Sequence, residues 1–319
     1  MIALAPLPFP LDTPIRGLPF AAIDFEATGF AGPDAHVVEV AVVHGTFGQP
    51  GVTPAFSSLV RPGVPIPAGA SRVHGILDEH VAGAPRWPDV EEQLAAATAG
   101  RLILAYSAPS DLLFWTTEAE RHGTPAPSWP WLDLLVVRAA SVARGRPGKL
   151  LEVARQHGIE LDAHGATGDA MALAMVARPL LSAAHKLGVF REHGGIRAAT
   201  DRYYADRRRG WDGDDQDDDG DGVPAPLPPP TTIGQLLAWQ SGTALYQERS
   251  WADYRRKEGD AMAPACPWHG LYGVEAPTWG NKPRPRPCAH CRASVVDKIE
   301  SNGARQVLDV GGTLHVCGR

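Results

Sequence analysis

The sequence predicts an α/β protein: a mixed five-stranded sheet flanked by helices, followed by a smaller cysteine-bearing module. Three observations lead there. Short β-branched or apolar runs bounded by Gly and Pro come early in the chain, and helical stretches with apolar stripes then alternate with them. A segment rich in Asp and Pro separates this region from a tail that holds every cysteine. A chain of 319 residues has room for one good-sized domain and a smaller one, at ~100–200 residues per domain.

The strand candidates follow in order. Phe20 to Ile23 ends in Asp24, and His36 to His44 is Val-rich with Glu39 inside it. Phe56 to Val60 is closed by the Pro-rich turn Arg61 to Pro67. Arg101 to Tyr106 is the fourth, and Trp131-Leu132 leading into Asp133 is a short fifth. Helical spacing covers Asp89–Thr98, Ser110–Arg121, Asp133–Ala143, Lys149–His157 and Thr167–Lys186. In the last of these Leu173, Val176, Ala177 and Leu180 form one stripe. These elements place a first domain at residues 1–195.

Residues 196–230 read as an extended, disordered linker. Arg207-Arg208-Arg209 is followed by an aspartate run and then a proline run, and neither buries enough apolar area to offset its ordering entropy. Structure is expected to resume in a C-terminal unit, residues 231–319. Thr232 with Gln235 forms a capping-box pattern ahead of Ile233, Leu236 and Leu237. The Asp215, Asp217, Asp219, Gly220 spacing resembles a calcium loop, but Pro226 stands where its last acid ligand belongs, which excludes it.

The formal net charge is −6, yet the seven aspartates at 212, 214, 215, 217, 218, 219 and 221 account for more than all of it. Without them the balance is +1, so net charge argues neither for nor against a nucleic-acid partner. No run approaches the ~18–20 apolar residues of a membrane span, and Met1 to Pro10 lacks the basic start of a signal peptide. The expected location is cytoplasmic. There disulfides are disfavoured, so clustered cysteines point first to metal.

The chemistry-bearing residues are acids in a fixed order. Asp24 and Glu26 are two apart on a strand and so project from the same face. Asp111 follows the fourth strand at the opening of a helix. His164 and Asp169, five apart, put an imidazole on a loop beside a carboxylate at a helix start. Each alone is ordinary: an exposed strand end, or acids favoured by helix N-termini.

Together, Asp24-Phe25-Glu26-Ala27-Thr28-Gly29, Asp111 and His164-x4-Asp169 resemble the three motifs of the DEDDh 3′→5′ exonucleases. That family includes the proofreading subunit of bacterial DNA polymerase III and several ribonucleases. Val73-His74-Gly75-Ile76, Ala84-Pro85-Arg86-Trp87 and Trp131-Leu132-Asp133-Leu134 with Arg138 fit the same pattern, over about residues 18–185. The second motif departs from it: the family's His-Asn-Ala-x-Phe-Asp reads Tyr106-Ser107-Ala108-Pro109-Ser110-Asp111 here. Residues of the substrate-positioning type are lost, while the acid is kept.

The resemblance implies a ribonuclease H-like fold and phosphodiester hydrolysis supported by two Mg²⁺ or Mn²⁺ ions, ~3.5–4 Å apart in such sites. Oxygen-preferring cations suit carboxylates. By the same resemblance Asp24 bridges the ions, Glu26 and Asp169 serve the nucleophile side, and Asp111 serves the other. His164 is the general base, with an ordinary pKa of ~6.5 suited to neutral pH. Thr28, Gly29 and His74 are expected at the terminal nucleotide.

In the tail, Cys288-Ala-His-Cys291 has zinc-knuckle spacing, with Cys266 and Cys317 as further thiols. The expected Zn²⁺ ligands are Cys266, Cys288, Cys291 and Cys317, with His269 and His315 as competitors. Lys282, Arg284, Arg286, Trp268 and Trp279 nearby fit either a solvated loop or a hold on single-stranded nucleic acid. The reading is therefore an exonuclease acting on 3′ ends of single-stranded DNA, with a polymerase or repair complex as partner and no membrane. The competing readings are an RNA-trimming exonuclease, or a degenerate exonuclease fold that tethers a zinc module to another machine.

Overall fold

The computed structural model describes residues 8–125, 131–142, 147–161, 165–191, 229–257, 286–287, 294–299 and 305–309. His164, the linker up to residue 228 and the zinc-ligand candidates Cys266, His269, Cys288, Cys291, His315 and Cys317 lie outside them.

Five strands form one sheet: β1 (Pro19–Ala27), β2 (Val37–Thr46), β3 (Thr53–Leu59), β4 (Leu102–Ala105) and β5 (Leu132–Asp133), in the order β3-β2-β1-β4-β5. The first three make an antiparallel meander, and β4 and β5 add parallel to β1. This is the mixed five-stranded sheet expected from sequence. β3 starts three residues earlier than Phe56 because the ladder continues through Thr53 and Pro54, past an irregularity at Val42/Val43. Pro54 is tolerated since β3 is an edge strand, where a missing N–H costs little.

The pleat sorts β1 between two cores. Phe20 and Ala22 face a core completed by α5 (Leu134–Ala140), α6 (Leu150–Gln156) and α7 (Ala166–Lys186). Ala21, Ile23 and Phe25 face the opposite core, built with α3 (Trp87–Thr98) and α4 (Ala108–His122). Phe25 sits among Trp87, Phe114 and Trp115. Asp24 and Glu26 therefore continue the face that looks toward α7. Two short helices absent from the sequence expectation, α1 (Ala68–His74) and α2 (Asp78–Val81), cover the β2 end, with Asp78 accepting from Ile66 N–H at 2.9 Å. They carry no apolar periodicity long enough to read.

The helix α8 (Ile233–Lys257) falls in the C-terminal unit by the sequence reading. Its capping box forms: Thr232 Oγ1 accepts from Gln235 N–H at 3.4 Å, and Gln235 Oε1 accepts from Thr232 N–H at 3.3 Å. Ile233, Leu236, Leu237 and Trp239 then pack into the α7-side core, where Trp239 meets Phe190 edge-on at 4.8 Å. The approach is tied to the N-terminal segment by Ile15 N–H to Thr231 O and Gly234 N–H to Leu11 O. A Cβ at Gly234 would lie 2.8 Å from Leu11 O, so glycine is required there. In the tail, β6 (Arg286–Pro287), β7 (Ser294–Ile299) and β8 (Arg305–Asp309) form a separate antiparallel sheet. Among the described residues no helix is long and apolar enough to cross a membrane.

Candidate active site

The acids meet at the carboxyl ends of the parallel strands β1 and β4, beside the N-termini of α4 and α7. Open α/β sheets form their crevices at such strand ends, and helix N-termini favour negative charge there. Carboxylate oxygens of Asp24, Glu26 and Asp169 all lie within 4.8 Å of one another. Asp111, in the first turn of α4 and buried, stands next to them without joining that cluster. The structure thus brings together four of the five expected catalytic positions, and the fifth, His164, immediately precedes the described Gly165.

Asp24, Glu26 and Asp111 carry the mark of crowding. Burial raises Asp24 well above the ordinary range, and Asp111, Asp169, Glu26 and Glu39 push it further in that order. Glu26 is raised to about 7 by burial, then by Asp169 and Glu39. Asp111 is raised well above its ordinary value by burial and Asp133, partly opposed by its own N–H and that of Phe25. Four acids so placed need a counter-charge to be ionised together. A hard, all-oxygen donor set with mutual repulsion fits divalent cations of the Mg²⁺ or Mn²⁺ kind.

Three further side chains hold the acids in place; none is among the site residues expected from sequence, though Asp133 falls in the Trp131-Leu132-Asp133-Leu134 stretch that fits the family pattern. Glu39 lies opposite Glu26 in the β1–β2 register, and its Oε2 accepts from Ala166 N–H, the first residue of α7, at 2.9 Å. A Cβ at Gly165 would come within 3.1 Å of that same oxygen, so the glycine lets the helix start dock onto Glu39. Thr167 adds a hydroxyl contact to Ser57 on β3 at 2.9 Å. Asp133, at the end of β5 and 2% exposed, grips the turn before α4: Oδ1 accepts from Ser107 N–H and Oδ2 from Ala108 N–H, both at 3.0 Å. That turn places Ser107 at φ 81, the one non-glycine in the left-handed region among the described residues. Asn suits that conformation better than Ser, which bears on the departure in the second motif.

Glu118, 2% exposed near the end of α4, secures the β1–β2 loop. It accepts from Val37 N–H at 3.0 Å and pairs with Arg121 at 2.6 Å, and Arg121 donates in turn to Pro33 O and Ala35 O. The loop walls a cavity of about 740 Å³ that includes Thr28, Gly29, Phe30, His36 and Val64. Thr28 is buried: its N–H donates to His36 O at 2.8 Å, and its hydroxyl accepts from His36 N–H at 3.0 Å. A Cβ at Gly29 would meet no protein atom within 4 Å, so the space above it is open. Phe30 is fully exposed at the rim. His74 is 5% exposed, with Nδ1 accepting from Ile76 N–H at 3.0 Å. Burial lowers its pKa, against smaller raising effects from Ala27 and Glu39.

The family described as Exonuclease (RNase_T) matches residues 21–177. A DNA polymerase III subunit epsilon-like protein of Rhodobacter capsulatus is 31% identical over 182 residues, 56% of this chain and 26% of that protein. An uncharacterized exonuclease of Escherichia phage 186 is 30% identical over 161 residues, 46% of this chain and 80% of that protein. The solved nuclease domain of 3'hExo, described as a DEDDh family member bound to rAMP, is 20% identical with a TM-score of 0.44, covering 52% of this chain and 92% of that one. The chain spans about a quarter of the length of the polymerase-subunit relative.

Proposed function

The chain belongs to the exonuclease family, and on that premise we propose that it is a divalent-metal-dependent 3′→5′ exonuclease acting on single-stranded DNA. The observation that carries this is the meeting of Asp24, Glu26 and Asp169 within 4.8 Å, with Asp111 beside them. Two bound Mg²⁺ or Mn²⁺ ions supply charge neutralisation at the attacking and leaving oxygens.

The chain's own residues do the rest. Asp24 is central, since Asp111, Asp169 and Glu26 all act on it. Asp24, Glu26 and Asp169 would hold divalent metal together, with Asp111 beside them, and the metal would supply charge neutralisation there. His164 takes the proton of the attacking water as that water's oxygen bonds to phosphorus. The bond to the 3′ oxygen of the penultimate nucleotide breaks, that oxygen takes a proton from solvent, and a nucleoside 5′-monophosphate and a strand ending in a 3′-hydroxyl are left. The open backbone at Gly29 lets the terminal nucleotide lie against β1, and Phe30 offers a ring on which a base stacks. Thr28 lines this wall with its hydroxyl engaged by His36 N–H, and His74 lies buried with its Nδ1 accepting from Ile76 N–H.

Matched DNA and RNA oligonucleotides, single- and double-stranded and labelled at either end, test the reading. Mononucleotide release from the 3′ end of single-stranded DNA, abolished by EDTA, is expected. Preferential release from RNA replaces the substrate with the alternative, which differs by a contact to the 2′-hydroxyl. Absence of release from every substrate leaves the scaffold reading.

For partners we infer a replicative or repair polymerase, on the names of relatives such as the Rhodobacter protein. Co-elution with the host polymerase on gel filtration checks it, and separate elution removes it. In the tail we infer Zn²⁺ on Cys266, Cys288, Cys291 and Cys317, with His269 or His315 as substitutes. Cys288 and Cys291 lie in sequence between β6 and β7, where a knuckle hairpin needs them. One zinc per chain by atomic absorption, lost in Cys288→Ser, is expected; a zinc-free wild-type chain discards the idea.

A further inference from the structure

The edge of the five-stranded sheet at β5 is closed by a side chain rather than by a sixth strand. Gln240, on α8 and fully buried, accepts from Asp133 N–H through Oε1 at 2.7 Å and donates from Nε2 to Trp131 O at 3.0 Å. Those two backbone groups flank Leu132, and the N–H and C=O of one residue in a parallel neighbouring strand would bond the same pair. The partners fix the amide's orientation, because one offers only a donor and the other only an acceptor. Burial with both bonds made gives the contact weight, since leaving either backbone group without a partner in the interior is costly.

The residue so held is Asp133, whose two carboxylate oxygens grip Ser107 and Ala108 N–H and thereby the left-handed turn that starts α4. Asp111 follows within that first turn. The connected path therefore runs from Gln240 to Asp133, from Asp133 to the Ser107–Ala108 turn, and from there to Asp111. It joins a helix beyond the linker to an acid more than a hundred residues earlier. Gln247, further along α8, donates from Nε2 to Val136 O at 3.0 Å and ties the same helix to α5 just after Asp133.

We infer that Gln240 is a positioning residue for the active site: α8 sets the angle and depth at which Asp111 meets Asp24 and Glu26, so the nuclease needs the chain beyond its linker. This rests on the exonuclease reading above, in which Asp111 stands beside the acids that hold metal. The consequence is specific. Loss of the amide leaves the apolar packing of α8 in place and lets the turn before α4 relax, which moves a carboxylate without removing it. A misplacement of ~1 Å at reacting groups costs ~10²-fold in rate.

Full-length Gln240→Met, close in length but without the amide, is compared with Leu237→Ala, which removes core packing one turn away and leaves the path intact. Gln240→Met is expected to lower kcat ~10- to 100-fold with KM nearly unchanged, and to raise the Mn²⁺ concentration needed for half-maximal rate. Leu237→Ala, with an equal or larger drop in Tm, is expected to keep kcat near wild type. Equal kcat losses in the two variants, or wild-type kinetics in Gln240→Met, overturn the inference. Should Gln240→Met not fold, Asp133→Asn, which leaves one of the two turn N–H groups without its carboxylate oxygen, is measured in its place against the same control. If the wild-type chain releases no nucleotide, the exonuclease reading fails on its own account. Mn²⁺ affinity and hydrogen exchange at Ser107 and Ala108 then decide this one: weaker binding and faster exchange in Gln240→Met uphold it, and no change in either overturns it.

Discussion

Removing metal from the acid cluster should make stability depend on pH in the direction opposite to that of most carboxylates. Glu26 is raised from 4.5 to about 7, by burial first and then by Asp169 and Glu39. The folded chain thus keeps a proton that the unfolded chain releases, so this stabilisation is complete below pH 4.5 and is lost as pH rises through about 7. The ceiling is ~3 kcal/mol, at ~1.4 kcal/mol per tenfold change in proton affinity. Glu26 is only half-buried, and screening by water reduces this to ~1–2 kcal/mol. At ~2–4 °C per kcal/mol for a domain of this size, Tm moves by ~2–8 °C. Asp24 and Asp111, also raised, act with the same sign. His36, His74 and His157 act against it, because burial lowers their pKa and folding disfavours their protonation as pH falls.

The assay is therefore a difference: thermal melts of chelator-treated wild type and Glu26→Gln, at intervals from pH 4.5 to above 7. Wild type is expected to lose ground to the variant as pH rises. Saturating Mn²⁺ should reverse the trend in wild type, since ions and protons compete for the same oxygens. A gap between wild type and Glu26→Gln that stays constant with pH would refute the reasoning.

Three further outcomes are expected. His164→Ala should lower kcat ~10²–10⁴-fold without altering the melt; near-normal kcat at neutral pH removes it as the base. Ser107→Gly, relieving the left-handed turn, should hold or raise stability by up to ~1 kcal/mol in urea unfolding. Ser107→Val should lower it by ~1–2 kcal/mol, and equal stability of the two contradicts the strain. Phe30→Ala, at a fully exposed site, should leave Tm unchanged and raise KM for an oligonucleotide ~5- to 100-fold, as loss of one stacked base implies. An unchanged KM places the strand elsewhere.

The sheet was legible because each strand is a short β-branched or apolar run closed by Gly or Pro, and the long helix α7 because its stripe repeats over five turns. The clustered acids were legible because their order along the chain resembles the motifs of a known family, and Asp24 and Glu26 share a face by strand period. Glu39 and Gln240 were not legible as functional, and Asp133 only as part of the family pattern, because their partners are backbone N–H and C=O groups that every residue carries. Glu39 did leave a trace, as an acid inside a Val-rich strand. Gln240 left none: its position in α8 has meaning only once that helix lies against β5. Ser107 shows the reverse case, where a motif departure visible in sequence acquires its physical sense only from a φ of 81.

Hydrolysis by Asp24→Asn bears most directly on the account. Purified wild type and variant, each shown to be folded at the assay temperature, are given single-stranded DNA labelled at its 5′ end, with Mg²⁺ or with EDTA. Progressive shortening by wild type in Mg²⁺ only, and none by Asp24→Asn, is the expected result. Shortening by Asp24→Asn at the wild-type rate, or by wild type in EDTA, contradicts a site built on these four acids.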